Sequence, residues 1–151
     1  MEKPDIQKIH RYFASDCFNK CWGFVDKEKR TEKENEEMRR LSEVSCWHWM
    51  QVTDHTQENL SISYWQLARV YAISDKGEEA LRYAEICVEI SESASLEPFY
   101  IGYAYEAVAR AHIVLGNEKQ SLKAKTKATA LASQIDDKES KVILLADLKG
   151  I

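Results

Sequence analysis

The feature that most constrains this chain is a helical stripe that occurs twice, 41 residues apart. Leu60, Tyr64, Leu67, Ala68 and Tyr71 stand at i, i+4, i+7, i+8 and i+11, one face of an α-helix. Ile101, Tyr105, Val108, Ala109 and His112 repeat that face without a gap, and Arg69 returns as Arg110. The segment that follows repeats as well: Ala80, Leu81, Cys87 and Ile90 correspond to Ser121, Leu122, Ala128 and Leu131. One stripe recurs easily by chance; a helix pair recurring as a unit does not. The expected fold is therefore a stack of helix pairs, each burying a face that only its neighbour can cover.

Hydrophobic periodicity divides the chain into about seven helices, over 4–27, 31–53, 57–75, 77–93, 98–115, 118–134 and 137–149. No segment alternates as a strand would. The breaks are punctuated by "DKEKRT", "DHTQEN", "SDKG", "SLEP", "LGN" and "DDKE". Pro98 suits a first helical turn, where its missing N–H is not needed. Asp75 to Gly77 and Gly116–Asn117 supply tight corners between antiparallel helices. Ala68, Ala80 and Ala109 are small where helices must approach closely, so bulky neighbours can close around them.

"YWQLARVYAISDKGEEALRYAEICVEI", 64–90, resembles the tetratricopeptide repeat: bulky Tyr64, hydrophobic Leu67, small Ala68, aromatic Tyr71, then Glu78–Glu79 before Ala80. "YEAVARAHIVLGNEKQSLKAKTKATAL", 105–131, resembles it more loosely, with His112 for the aromatic and Ser121 for the small residue. Alanine replaces the usual glycine, the closing proline is missing, and the period exceeds the roughly 34 residues of that family. "EEMRR", 36–40, resembles another second-helix opening. The chain also resembles a small group of bacterial proteins of this organisation, which carries no activity across. The family resemblance implies an all-α fold of antiparallel helix pairs stacked as a short right-handed solenoid. A single domain, 1–151, would hold a divergent first pair at 4–53, repeats at 57–93 and 98–134, and a capping helix at 137–149. In that cap Val142, Leu145 and Ala146 form the apolar side.

Composition narrows the function. The net charge of −4, with acidic and basic residues interspersed, argues against nucleic acid as partner, since that needs a concentrated basic face. Lys119, Lys123, Lys125 and Lys127 read as a solvated helix surface. No run approaches the roughly 18 apolar residues of a membrane span, and "MEKPDIQKIHR" is too charged for a secretory leader. A cytoplasmic location, no membrane partner and reduced thiols at Cys17, Cys21, Cys46 and Cys87 follow as expectations.

"SEVSCWHWMQV", 42–52, looks most like chemistry. On a helix, Met38, Leu41, Ser45, Trp49 and Val52 share a buried stripe with His48 at its edge. Trp47 lies opposite, either packed on the following repeat or lining a pocket or oligomer contact. A catalytic His48 would need a nucleophile or carboxylate held beside it, and no motif supplies one. Cys17 and Cys21, with Cys46 and His48, could be imagined around zinc. Both cysteines nevertheless fall on the apolar stripe Ile6, Ile9, Phe13, Cys17 and Phe24, where small hydrophobes belong. No metal and no cofactor are expected.

The family resemblance implies that first helices line a concave wall where partners dock. On that wall stand Trp65 and Arg69, with Glu106 and Arg110 at the equivalent positions one repeat on, flanked by Gln66 and Tyr103. Arginine beside tryptophan serves recognition and packing equally well, so an inter-repeat network is the competing reading. The expected function is non-catalytic binding of a protein or peptide, or of a second copy in a homodimer. The alternative is a small-molecule sensor or enzyme with a pocket around Asn19, Trp22, His48 and Trp65, with Trp47 nearby.

Overall fold

A computed structural model describes residues 2–151, in which seven α-helices follow one another without a strand. They are α1 (Ile6–Val25), α2 (Glu32–Gln51), α3 (Gln57–Ile73), α4 (Gly77–Ser93), α5 (Pro98–Val114), α6 (Glu118–Ala132) and α7 (Lys138–Lys149). Their starts are fixed by side chains that satisfy the free amides of the first turn. Thr31 with Glu34, and Thr56 with Asn59, close reciprocal capping boxes on α2 and α3. Asp5 and Asp137 cap α1 and α7, and Pro98 occupies the first turn of α5.

Helices α3, α4 and α5 end in one way. The residue after each C-cap takes positive φ, at Asp75 (60°), Ser95 (49°) and Gly116 (77°). The next amide then reaches back to the carbonyl of the third residue from the helix end: Lys76 to Tyr71 at 2.9 Å, Leu96 to Ser91 at 3.0 Å and Asn117 to His112 at 2.8 Å. Gly77 serves something else. A Cβ there would lie 2.8 Å from the Leu115 side chain, so this glycine lets the start of α4 approach the end of α5.

Packing follows the pairs, with the closest associations α1–α2, α3–α4 and α5–α6. Each pair meets the next through α2–α3 and α4–α5. Helices α1, α3, α5 and α7 also touch in succession, while α2, α4 and α6 do not touch one another. The odd-numbered helices are thus the ones that meet their like across successive layers and form one continuous face of the stack, termed the inner wall. Between layers sit small clusters built on alanine, Ala68 with Ala84 and Ala107, and Ala72 with Ala80 and Ala111. Trp65, Tyr71 and Tyr83 close around them, as expected of small residues at helix crossings. No helix is long and apolar enough to cross a membrane.

Three faces differ from expectation. Ile6 (54% exposed), Ile9 and Phe13 stand open, because α1 packs only on α2 and α3 and that side of the stripe meets no helix. In α7 the buried side is Leu144 and Leu148 with Leu145 half-buried against them, while Val142 and Ala146 are exposed. Val142 points outward, because α5 and α6 take the Leu144 side. Trp49 is half-buried, with Arg11 over its ring at 5.8 Å.

Candidate functional site

The inner wall is tied together by polar bridges. Gln66 on α3 donates from Nε2 to the Phe18 carbonyl of α1 at 3.1 Å. Glu106 on α5, wholly buried, accepts from Trp65 Nε1 at 3.0 Å and Arg69 at 3.4 Å, both on α3, and from Arg110 Nε. Tyr103 donates to Asp147 of α7 at 2.6 Å, and Arg110 reaches the Asp147 carbonyl at 3.4 Å. Two guanidiniums thus meet two carboxylate-bearing residues, and every layer boundary carries one of these ties. Burial, then the Arg110 charge, draws Arg69 down from its ordinary value, yet an arginine stays protonated. Burial, then the hydrogen bond to Asp147, pushes the Tyr103 hydroxyl far above its usual range. Gln66 and Glu106 are buried between the helices they join, so neither side chain reaches the surface of the wall. Trp65, Arg69 and Arg110 keep partial exposure, and Tyr103 an edge.

Over these bridges the wall is hollowed into four depressions that share residues. The first, about 440 Å³, lies along α1 between Lys8, Arg11 and Asn19. Ser15 and Asn19 also line the second, about 230 Å³, which adds Trp49, Asn59 and Ile62. Ile62 opens into the third, about 250 Å³, walled by Ser61, Trp65, Phe99, Tyr100 and Tyr103. Phe99 and Tyr100 continue into a fourth, about 540 Å³, at Glu97, Asp136 and Asp137. Aromatic rings follow the same course: Trp22 lies 5.4 Å from Trp65, Trp65 5.3 Å from Tyr103, and Tyr103 5.1 Å from Phe99.

Sequence reasoning passed over Ile62, Phe99 and Tyr100. The signal was available in "PFYIGY", three aromatic residues in the first turns of α5 on the side turned to α3. Repeat matching aligned only stripe positions, and these rings lie before the repeat's first conserved bulky position.

The alternative pocket does not assemble around its expected residues. Asn19 lines the inner wall, and Trp22 stacks against Trp65. Trp47 and His48 line a different hollow of about 570 Å³ with Tyr64, Leu67 and Tyr83. None of its lining residues also lines the depressions that hold Asn19. Trp47 is 51% exposed, the more open of its expected placements. His48 and His10 share a hydrogen bond between their Nδ1 atoms at 2.9 Å, so one imidazole donates and the other accepts. Burial, then the neighbouring His10, holds His48 below its ordinary value.

The four thiols are buried. Burial pushes Cys21 up to about 12 and Cys46 and Cys87 to about 11, which keeps them protonated at neutral pH. Among the described residues no group of three or more His, Cys, Asp or Glu side chains could hold a metal ion. No family model, curated protein or solved structure matches this chain.

Proposed function

We propose that this protein is a non-catalytic, tetratricopeptide-like binding module that takes an extended peptide or protein segment along its inner wall. The observation that carries this reading is continuity: Asn19, Ile62 and Tyr100 are each shared between adjoining depressions, making one groove across α1, α3, α5 and α7. Helices roughly 9 Å apart give a groove of about 27 Å, room for about eight extended residues. Aromatic walls offer large contact area with little side-chain entropy to lose. Asn19 and the free amide of Asn59 offer hydrogen bonds to a peptide backbone.

Panning a random peptide display library against the immobilised protein tests this reading. Selected peptides should shift groove amides such as those of Ile62 and Asn19 in nuclear magnetic resonance spectra. The variant Ile62→Asp, changed at a partly exposed position, should keep its helical circular dichroism and lose those peptides. Peptides that bind Ile62→Asp unchanged, or that shift only residues around Trp47, would refute it.

Self-association is a second reading, favoured by the open apolar side of α1 and α2 at Ile9, Phe13, Val44 and Trp47. Sedimentation equilibrium of the wild type against Phe13→Glu decides it.

A further inference from the structure

We propose that the pocket of about 250 Å³ between α3 and α5 takes the side chain of an arginine in the bound peptide, an inference that rests on the groove reading above. Four of its six lining residues are aromatic: Trp65, Phe99, Tyr100 and Tyr103. An apolar side chain would fit such walls; the charge around them selects a cation.

Three of the four rings spend their polar hydrogen on a carboxylate. Trp65 Nε1 donates to Glu106 at 3.0 Å, the Tyr103 hydroxyl to Asp147 at 2.6 Å, and the Tyr100 hydroxyl makes a longer bond to Glu58 at 3.4 Å. A ring that donates to an anion gains electron density, which deepens the negative potential over its face. That face is what attracts a cation. Beneath the pocket, Arg69 and Arg110 both pair with Glu106, and the Asp147 carboxylate that accepts from Tyr103 lies close enough to act on Arg69 by its charge, so two positive charges face two negative ones.

The mouth has the same sign. Glu58 stands one turn before Ile62 on α3, and Glu97, Asp136 and Asp137 line the adjoining depression, which shares Phe99 and Tyr100 with the pocket. Among the described residues none of these four carboxylates is in an ion pair. A guanidinium fits this combination better than an ammonium. It is flat, weakly hydrated and stacks on aromatic faces, and its fork of N–H donors can meet carboxylates at the rim in pairs. The peptide backbone would then run toward α1, where Asn19 and Asn59 lie.

The test uses three capped alanine peptides of about eight residues, identical except for a central arginine, citrulline or leucine. Each is titrated into isotopically labelled full-length protein, and the amides of Ile62, Tyr100 and Tyr103 are followed by nuclear magnetic resonance. The arginine peptide should bind at least ~10-fold tighter than the citrulline peptide, which has the same shape without charge, and should weaken as salt shortens the screening length. Glu58→Gln with Glu97→Gln should cost about tenfold for arginine and leave leucine unchanged. Both carboxylates are exposed, and Glu97 makes no capping bond, so the fold is not at stake. Tyr100→Leu should weaken arginine and spare leucine; where its amide spectrum shows unfolding, the glutamine pair decides.

Leucine or citrulline binding as tightly as arginine would overturn the cation site while leaving the groove intact. Arginine binding indifferent to both variants would overturn it too. If no probe shifts these amides, the inference fails, and library panning still decides the groove independently.

Discussion

Glu106 is the residue on which the inner wall depends most. Removing its carboxylate as Glu106→Ala leaves Trp65 Nε1 without its acceptor and two guanidiniums, each only about one fifth exposed, without their shared ion-pair partner. Each charge-assisted hydrogen bond is worth about 1.5–3 kcal/mol net, but the three share one carboxylate whose burial has its own cost, so they do not simply add. Breaking a buried ion pair from one side costs about 3–5 kcal/mol. A domain of this size is stable by about 5–15 kcal/mol, so the loss is about a fifth of the total or more. At about 2–4 °C per kcal/mol the melting temperature should fall by about 6–20 °C. Urea titration followed by far-ultraviolet circular dichroism gives the value directly. The triple variant Glu106→Leu, Arg69→Met, Arg110→Met removes all three charges together and should recover most of the loss. A Glu106→Ala midpoint within about 0.5 kcal/mol of wild type would refute the account of Glu106 as a knot between layers. A triple variant less stable than the single one would refute the account of why.

Ala109 is fully buried beside the Ser121 hydroxyl that donates to its carbonyl at 2.9 Å, so Ala109→Leu should overpack α5 against α6 and cost about 1–3 kcal/mol in the same titration. Ser95 holds positive φ with a Cβ, and Ser95→Gly should raise the melting temperature by relieving about 1 kcal/mol of strain, less the entropy glycine adds to the unfolded chain. His48 is held below the ordinary histidine value, so the unfolded chain takes up its proton first as pH falls. Stability from this group is present above the ordinary value and lost below it. Urea midpoints taken from about pH 8 to pH 5 should fall more steeply for wild type than for His48→Gln, and parallel curves would refute the effect.

Much of the fold was legible because its start signals are local. Thr31, Thr56 and Pro98 mark helix starts by chemistry that acts within one turn, and the repeat announces the pairing of α3 with α4 and α5 with α6. What the sequence hid was rotation about each helix axis. Ile6, Ile9 and Phe13 read as core because periodicity shows that a face is apolar, not whether another helix covers it. Gln66 and Glu106 read as surface because polar residues usually are; both are buried because each finds its partner on a helix more than thirty residues away in sequence. The groove was half legible. Trp65 was found beside Arg69, whose repeat equivalents are Glu106 and Arg110, and Tyr103 as a residue flanking them, while Ile62, Phe99 and Tyr100 depend on the width of the gap between α3 and α5, which no single-helix pattern encodes.

The contact of α1, α3, α5 and α7 in succession, without matching contact among α2, α4 and α6, gives the molecule an uneven stiffness. The odd helices act as the neutral axis of a bent beam: held by directional polar ties, they change length little when the stack flexes. The even helices do not touch one another, so they can shift relative to one another through small adjustments at the α2–α3 and α4–α5 seams. Flexing of this kind alters the curvature of the groove while leaving its floor intact. A ligand that spans several layers would act as a splint, and its grip would be read as slower hydrogen exchange in α2, α4 and α6, far from any atom it touches.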